Sequence, residues 1–424
     1  MISRFRRYGR LLVDSLMVPV VLLMPRNRKK VLFGAWSGHQ YSCNSKYLFE
    51  NLVSRGDLRC YWVGDAQLSS CVLSTKGARF VRKGSLAALW HALTASWYVC
   101  NIQWRSDIIN IPHCGRVNHI YLTHGVADKK MGSFQYKGNG PVAHQAQQIG
   151  AVRRWLSRCC DRWLDFLYGQ KSWCSTASKQ SCDIYVENLV DRLTPERMLS
   201  AGTPRGDFMI RAGKDSALRQ QLRTRFSALL GLPIDKKWYV FVPTWRHEPE
   251  YLYSFTTSRR RMEFEAALER QNAVLIEKQH PITLETLGIK GGAQGRIWSI
   301  SSEQARMIDT QELLVACDVL ITDYSSVYYD FVLMNRPVMH FIYDFDHFMN
   351  KDMGFCFDIR DYGGGPFAST EGELLDCFEM SDVELLAKRN SSTVDVQLAW
   401  EKGISCDAYH DLIVGDKSRS GGGQ

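Results

Sequence analysis

Short apolar runs alternate with longer amphipathic stretches along the chain from residue 30 onward. A short apolar run bounded by polar residues predicts a buried strand, whereas apolar residues at every third or fourth position predict a helix. Strands and helices that alternate in this way are typical of parallel sheets with helices on both faces. The hydrophobic pattern therefore predicts an α/β protein.

The predicted elements fall into two series. The first series has strands over residues 31–35, 59–63, 78–81, 97–101 and 118–123, with helices over 44–53 and 85–93. The second begins near Trp173 and has strands over 238–242, 274–277, 297–300, 319–322 and 337–341, with helices over 261–271, 311–316 and 326–334. Strand and helix alternation of this length is typical of doubly wound domains, so we expect two of them in tandem.

The chain of 424 residues is too long for one compact core and suits two domains of about 150 to 200 residues each. We expect a basic and apolar segment over 1–29, a Rossmann-like domain over 30–131, an amphipathic insertion over 132–170, a second Rossmann-like domain over 171–400, and a C-terminal segment over 401–424. The glycine-rich end of that last segment has the composition of a disordered tail.

Two segments have the composition of a membrane interface. The apolar stretch over 11–24 has basic residues on both sides, and it is shorter than the roughly 20 apolar residues that a spanning helix needs. Residues 152–168 carry tryptophan and arginine at helical spacing, around Trp155 and Trp163. Both segments fit an anionic membrane surface. The first also fits an ordinary helix packed on the body, and the second a helix docked between domains.

Charge and cysteine content narrow the class of protein. Lysine and arginine number 53 against 44 aspartates and glutamates, and the net charge of +9 favours anionic partners without identifying them. The 13 cysteines lack the paired spacing of zinc sites, and we interpret them as reduced thiols of a cytosolic protein. Because no acidic cluster has the spacing of a hard-cation site, we expect no metal. We also expect no cofactor.

The clearest chemical signal follows the predicted strand over 319–322. Asp323 lies at the carboxyl end of this strand, and Ser325 and Ser326 lie where the next helix begins. Open α/β sheets bind ligands at this edge, and the free N–H groups of a helix N-terminus accept phosphate. Serines at such positions also serve as plain helix caps. The segment alone therefore fits both phosphate binding and capping.

Other polar side chains follow other predicted strands. His124 follows the last strand of the first series, and His280 follows a strand of the second. A histidine in an interdomain cleft accepts a proton from a hydroxyl, or binds phosphate when charged, although a lone histidine is more often structural. Thr244 and Arg246 end another strand, and Arg205 lies in a turn. These side chains suit phosphate recognition, and each also fits an ion pair in a surface loop.

Five segments occur together in one order: residues 122–132 with their His-Gly pair, the turn over 202–207, the Pro-Thr-Trp-Arg segment over 243–246, the His-Pro pair at 280–281, and the long segment over 311–344. In this order the chain resembles the CDP-glycerol glycerophosphotransferase family, which contains teichoic acid primases, teichoic acid polymerases and related capsule polymerases. The resemblance extends over roughly residues 30 to 360.

The resemblance implies a GT-B fold, in which two Rossmann-like domains face a cleft, and monotopic attachment to the cytoplasmic face of the membrane. It implies transfer of glycerol phosphate or ribitol phosphate from a CDP-polyol to a hydroxyl of an undecaprenyl-linked or polymeric acceptor, with release of CMP. Nucleic acid is not an expected partner. A glycosyltransferase that uses a sugar nucleotide and a non-catalytic, membrane-bound nucleotide-binding scaffold are the alternatives.

The resemblance also implies roles for individual residues. His124 would be the base that deprotonates the acceptor, and His280 would steady the donor phosphates. The donor side would comprise Thr244, Arg246, Asp323, Ser325, Ser326 and Arg205. The acceptor side would comprise Gly125, Lys129 and Lys130. One departure from the family pattern stands here: residues 125–128 read Gly-Val-Ala-Asp where many relatives have Gly-Thr-Pro, so the acceptor side is expected to differ.

Overall fold

Two seven-stranded sheets organise the chain. The computed structural model describes residues 11–130, 162–169, 172–189, 193–246 and 248–415. The strands of each sheet are parallel, except that one short edge strand of the second sheet runs antiparallel. The expected α/β class, with two parallel-sheet domains, is confirmed.

The first sheet has the order β3-β2-β1-β4-β5-β6-β7. Its strands are β1 (Asn27–Phe33), β2 (Arg59–Gly64), β3 (Phe80–Arg82), β4 (Ala95–Cys100), β5 (Asn118–Tyr121), β6 (Ser172–Ser175) and β7 (Met198–Leu199). Its helices are α1 (Val18–Leu23), α2 (Cys43–Arg55), α3 (Ser69–Leu73), α4 (Leu86–Thr94), α5 (Trp104–Asp107) and α6 (Lys179–Asn188). All six residues of β4 are buried, because helices cover both faces of the sheet centre.

The second sheet has the order β10-β11-β9-β8-β12-β13-β14. Its strands are β8 (Lys237–Phe241), β9 (Ala273–Glu277), β10 (Gly292–Gln294), β11 (Ile297–Ser299), β12 (Val319–Thr322), β13 (Val338–Phe341) and β14 (Phe367–Ala368). The helices that follow α6 are α7 (Pro204–Lys214), α8 (Ser216–Leu230), α9 (Arg261–Arg270), α10 (Pro281–Thr286), α11 (Ser302–Met307), α12 (Thr310–Ala316), α13 (Val327–Leu333), α14 (Phe345–Asn350), α15 (Glu371–Phe378), α16 (Asp382–Ala387) and α17 (Ser405–Val414).

The predicted domain boundary at residue 171 is wrong. Strand β6 pairs with β5, and β7 pairs with β6, so both strands extend the first sheet and do not open the second. The C-terminal helix α17 also returns to the first domain, where Cys406 and Tyr409 join the core around Phe33 and Leu48. A short apolar strand looks the same in either domain, because local pattern does not encode which sheet it joins.

The N-terminal segment both packs on the body and exposes an apolar face. Residues 11–16 and 162–168 are helical. The Trp163 indole N–H donates to Ser15 Oγ at 2.9 Å, and the Tyr168 hydroxyl donates to buried Asp14. The segment therefore packs on the body, as one interpretation expected, while its attachment to a membrane surface stays a prediction. Trp155, most of the predicted insertion and the glycine-rich tail lie outside the described residues. Within the described ranges, no helix has the length and hydropathy needed to span a bilayer.

Candidate active site

The carboxyl ends of the two sheets meet at Gly125 and Ser326. Gly125 follows β5, and Ser326 directly precedes α13. A Cβ atom placed on Gly125 would lie 2.5 Å from Ser326 Oγ and 3.3 Å from Ser326 Cβ, and the first distance is shorter than real Cβ atoms show. Glycine at position 125 therefore lets the two domains touch without displacing Ser326. This contact places His124 and the loop after β12 on opposite walls of one cleft.

His124 presents a neutral imidazole to this cleft. The surrounding protein, together with the positive charges of Arg205 and Lys129, lowers the pKa of His124 to about 4. The ring is nevertheless reached by solvent from the open side of the cleft. At pH 7 the imidazole is unprotonated and able to accept a proton from a hydroxyl.

Arg205 holds the backbone of His124 through one of its guanidinium N–H groups. Its Nε pairs with Asp330 at 3.0 Å, and its Nη1 donates to the His124 carbonyl oxygen at 2.7 Å. Both the Arg205 and Asp330 side chains are 4% exposed. Asp330 lies on α13 of the second domain, so this buried pair links the domains next to His124. The Arg205 Nη2 group is buried and has no hydrogen-bond partner among the described atoms, so the predicted contact with the donor phosphate stays a prediction.

The turn around Arg205 is shaped by a buried carboxyl group. Glu401 accepts hydrogen bonds from the Thr203 backbone N–H at 3.1 Å and the Thr203 hydroxyl at 2.8 Å. A Cβ atom on Gly206 would lie 2.0 Å from Glu401 Oε2, so only glycine leaves room for the carboxyl. Burial raises the pKa of Glu401 to about 8. The Gly-Thr-Pro-Arg-Gly sequence over 202–206 therefore has a structural role, because it connects the start of α7 to the C-terminal segment.

His280 follows β9 on the second-domain wall. Its exposed ring lies 5.9 Å from the Trp245 ring, centroid to centroid. The surrounding protein and the nearby ammonium of Lys278 lower the pKa of His280. Lys278 is half-buried, and burial lowers its own pKa, an effect that Asp309 opposes. Among the described side chains none forms an ion pair with Lys278, so its positive charge is available to an anion at the end of β9.

Asp323 organises the loops after β8 and β12 from a buried position. One carboxylate oxygen accepts the backbone N–H groups of Thr244 at 2.8 Å and Ser325 at 3.2 Å. The other accepts from Arg246 Nη2 at 2.7 Å. Asp323 is 0% exposed, so it shapes the loops after β8 and β12.

Arg246 is also buried, and its hydrogen-bond donors are taken by the protein. Its Nε donates to Asp344 at 2.7 Å, its Nη2 to Asp323, and its Nη1 to the Thr244 carbonyl oxygen at 2.7 Å. The two carboxylates hold the pKa of Arg246 above its usual value despite burial, and the side chain is 1% exposed. The predicted contact of Arg246 with pyrophosphate does not fit this geometry. The guanidinium instead fixes the loop that carries Thr244.

Three hydroxyl groups remain for a ligand on this wall. Thr244 Oγ1 is buried and has no hydrogen-bond partner among the described atoms. Ser326 precedes α13, yet its side chain does not cap the helix. Ser325 lies beside it and is partly exposed. The plain-capping interpretation of Ser326 is therefore not what the structure shows.

The loop on the acceptor side forms a short antiparallel contact with the second domain. Lys129 bridges to Phe355, Lys130 N–H donates to the Gly354 carbonyl oxygen at 3.1 Å, and Cys356 N–H donates to the Asp128 carbonyl oxygen at 2.8 Å. The Lys129 ammonium lies 3.4 Å from an Asp128 carboxylate oxygen, while Lys130 is exposed. Burial raises the pKa of Asp128. This loop, which follows His124 in the chain, therefore connects the first domain to the second.

Sequence reasoning missed three side chains of the cleft: Trp36, Trp245 and Lys278. The Trp36 ring lies 5.5 Å from the His124 ring. A tryptophan or lysine next to a strand carries no special local signal, because core and surface positions use the same residue types. In the described ranges no group of three or more His, Cys, Asp or Glu side chains is placed to hold a metal ion.

Comparisons with known proteins agree with this arrangement. A sequence profile of the family described as CDP-glycerol:poly(glycerophosphate) glycerophosphotransferase matches residues 16–407. The teichoic acid poly(glycerol phosphate) polymerase of Bacillus spizizenii is 24% identical over 96% of this chain and 98% of its own length. The polymerase of the same description from Bacillus subtilis is 25% identical over 84% of this chain, which spans only 44% of that relative.

A solved structure of the wall teichoic acid polymerase TagF superposes with a TM-score of 0.72 at 21% identity, over 98% of both chains. At this level of identity the likeness establishes the fold. The predicted GT-B arrangement of two Rossmann-like domains is therefore confirmed.

Proposed function

Since the chain belongs to the CDP-glycerol:poly(glycerophosphate) glycerophosphotransferase family, we propose that it transfers glycerol phosphate or ribitol phosphate from a CDP-polyol to an acceptor hydroxyl and releases CMP. The product would be a teichoic-acid-like or capsular polymer. The observation that carries this proposal is the cleft itself, in which the neutral imidazole of His124 faces unpaired donor-side hydroxyls across the Gly125–Ser326 contact.

In the proposed reaction His124 acts as the general base. The acceptor hydroxyl donates its proton to the imidazole while its oxygen bonds to the phosphorus that carries the polyol. The bond from that phosphorus to the bridging oxygen breaks, and CMP leaves with the electron pair. A pKa of about 4 is low for a base, and the negative pyrophosphate of a bound donor would raise it. Arg205 acts as a positioning residue through the His124 carbonyl oxygen.

On the donor side the wall offers neutral and cationic hydrogen-bond donors. We assign Thr244, Ser325 and Ser326 to the phosphate oxygens, with His280 and Lys278 close to the developing charge on CMP. Phosphoryl transfer depends mainly on positioning and on charge stabilisation, which such donors supply. Asp323 and Arg246 act indirectly, because they fix the loop that carries Thr244.

We also propose that the reaction needs no metal ion, because these cations and hydroxyls suffice to stabilise the transferring phosphoryl group. Turnover should persist after extensive treatment with a chelator. Complete loss in chelator, restored by magnesium, would contradict this.

We also propose that the protein attaches peripherally to the cytoplasmic face of the membrane, and the N-terminal helix supports the attachment. Leu12, Leu16 and Leu23 share one face of the helical segment and are 65%, 71% and 84% exposed. Trp163 and Phe166 stack beside this segment, with ring centroids 5.2 Å apart. Exposed basic residues follow at 28–29. An apolar face with basic neighbours suits peripheral binding to anionic lipid.

Vesicle sedimentation tests this placement. The double variant Leu12→Glu/Leu16→Glu should lose binding to anionic vesicles, while Val383→Glu, at an equally exposed apolar position on α16, should bind like wild type. Undiminished sedimentation of the double variant would contradict the proposed attachment.

The transfer reaction itself is tested by CMP release from CDP-glycerol and CDP-ribitol, offered in parallel with a lipid-linked disaccharide and a short polyol-phosphate oligomer. CMP release that His124→Ala abolishes would support the proposal and identify the donor. Absence of CMP with both donors and both acceptors, together with nucleoside diphosphate release from a sugar nucleotide, would favour a glycosyltransferase.

A further inference from the structure

Trp36 stands next to the proposed base in an unusual backbone conformation. The residue follows β1, and its ring centroid lies 5.5 Å from that of His124. Trp36 has φ of 48° and Ser37 has φ of 57°, both in the left-handed region that side chains rarely adopt. Two such residues in succession are strained by about 1–3 kcal/mol each and persist only where the surroundings impose them.

Buried polar side chains impose this conformation. Trp36 N–H donates to Asn101 Oδ1 at 3.0 Å, and Ser37 N–H donates to Asp107 Oδ1 at 2.8 Å. Asn101 and Asp107 are both 0% exposed. Asp107 also accepts backbone N–H groups of residues 101–103. The fold thus fixes the backbone at Trp36 and leaves the indole partly exposed beside His124.

Three described cations near Trp36 and His124 already have protein partners. Lys83 donates to the carbonyl oxygens of Ser37 and Ser106. Lys129 is paired with Asp128, and Arg205 with Asp330. Lys83, Lys129 and Arg205 therefore already contact protein oxygens, and a phosphate placed on the indole would have to compete with these oxygens for their charge.

We propose that Trp36 binds the acceptor by packing its indole against the apolar face of a sugar ring, one of whose hydroxyls His124 deprotonates. This inference rests on the proposed function. A hydroxyl within about 3 Å of an imidazole nitrogen lies within contact range of an indole 5.5 Å away. The indole face is flat and apolar, which matches the C–H face of a ring better than a chain of charged phosphates. Trp36 belongs to the first domain, whereas the donor loops belong to the second.

The test compares acceptors in the full-length protein. With the CDP-polyol that wild type uses, initial rates are measured against a lipid-linked disaccharide and against a polyol-phosphate oligomer. Trp36→Ala should raise KM for the disaccharide at least about fivefold, a loss in the range of one aromatic contact, and should leave KM for the donor unchanged. The KM of Trp36→Phe for the disaccharide should lie between the values for wild type and Trp36→Ala. Both replacements keep a Cβ atom, so the backbone strain at position 36 is unchanged.

Trp90→Ala serves as the matched control, because Trp90 is an exposed tryptophan on α4. It should behave like wild type in every rate. The inference would be overturned if Trp36→Ala left the KM for the disaccharide unaltered or raised the KM for the donor instead. It would also be overturned if wild type used only the oligomer as acceptor. Absence of CMP release by wild type under all conditions would instead refute the proposed function, so the two failures are distinguishable.

Discussion

Replacement of Arg246 separates a structural role from a phosphate-binding role. In Arg246→Ala the carboxylates of Asp323 and Asp344 would remain buried at 0% and 1% exposure without their cation. Removal of one partner from a buried ion pair destabilises a protein by about 3–5 kcal/mol, because the remaining charge is left without compensation. At about 2–4 °C per kcal/mol for a domain of this size, the midpoint of thermal unfolding should fall by about 6–20 °C.

The assay is thermal unfolding followed by circular dichroism, with Arg260→Ala as the matched control. Arg260 pairs with Glu263 on the surface, where both side chains are more than a third exposed. Loss of such a pair changes stability by less than about 1 kcal/mol. If Arg246→Ala unfolds at the wild-type temperature and only its donor KM rises, the guanidinium contacts phosphate and the reasoning from its buried contacts is refuted.

Two further predictions concern pH. On the acid side, kcat/KM reports the free enzyme and should fall as His124 becomes protonated near pH 4. The acid-side fall of kcat should occur at higher pH, because bound pyrophosphate raises the pKa of the base. A fall of both parameters at the same pH would contradict this. Glu401 has a folded pKa of about 8 against an ordinary value of 4.5, so the protein should lose stability as pH rises from about 4.5 to 8. In Glu401→Gln this part of the pH dependence of urea unfolding should disappear; an unchanged profile would exclude Glu401 as its source.

The strands were predictable because their apolar runs are local features. Strand β12, for example, occupies the predicted residues 319–322, β8 lies one residue earlier than predicted at both ends, and β9 begins one residue earlier than predicted. The membership of β6 was not predictable, since pairing with β5 depends on contacts that no local pattern records.

The candidate site divides in the same way. The positions of His124, Thr244 and Ser326 at the cleft follow from strand ends, which parallel sheets bring to one edge. The roles of Arg205 and Arg246 could not be predicted from strand ends. The carboxylates that pair with them, Asp330 and Asp344, are distant in sequence. An arginine after a strand looks the same whether phosphate or a buried aspartate receives it.

Trp36 carries no sequence signal for a different reason. Its placement depends on a left-handed backbone conformation. Asn101 and Asp107, which follow β4, impose this conformation by accepting backbone N–H groups of residues 36 and 37. Tryptophan is not a residue that turn chemistry would place at positive φ. Only the assembled structure shows it beside His124.

CMP release from CDP-glycerol and CDP-ribitol by wild type and His124→Ala is the measurement that tests the central claim most directly. We predict CMP release with at least one donor in the presence of an acceptor, and a loss of at least about a hundredfold in the variant, the usual contribution of a general base. Equal CMP release by His124→Ala, with its fold intact by circular dichroism, would contradict the assignment of His124 as the base.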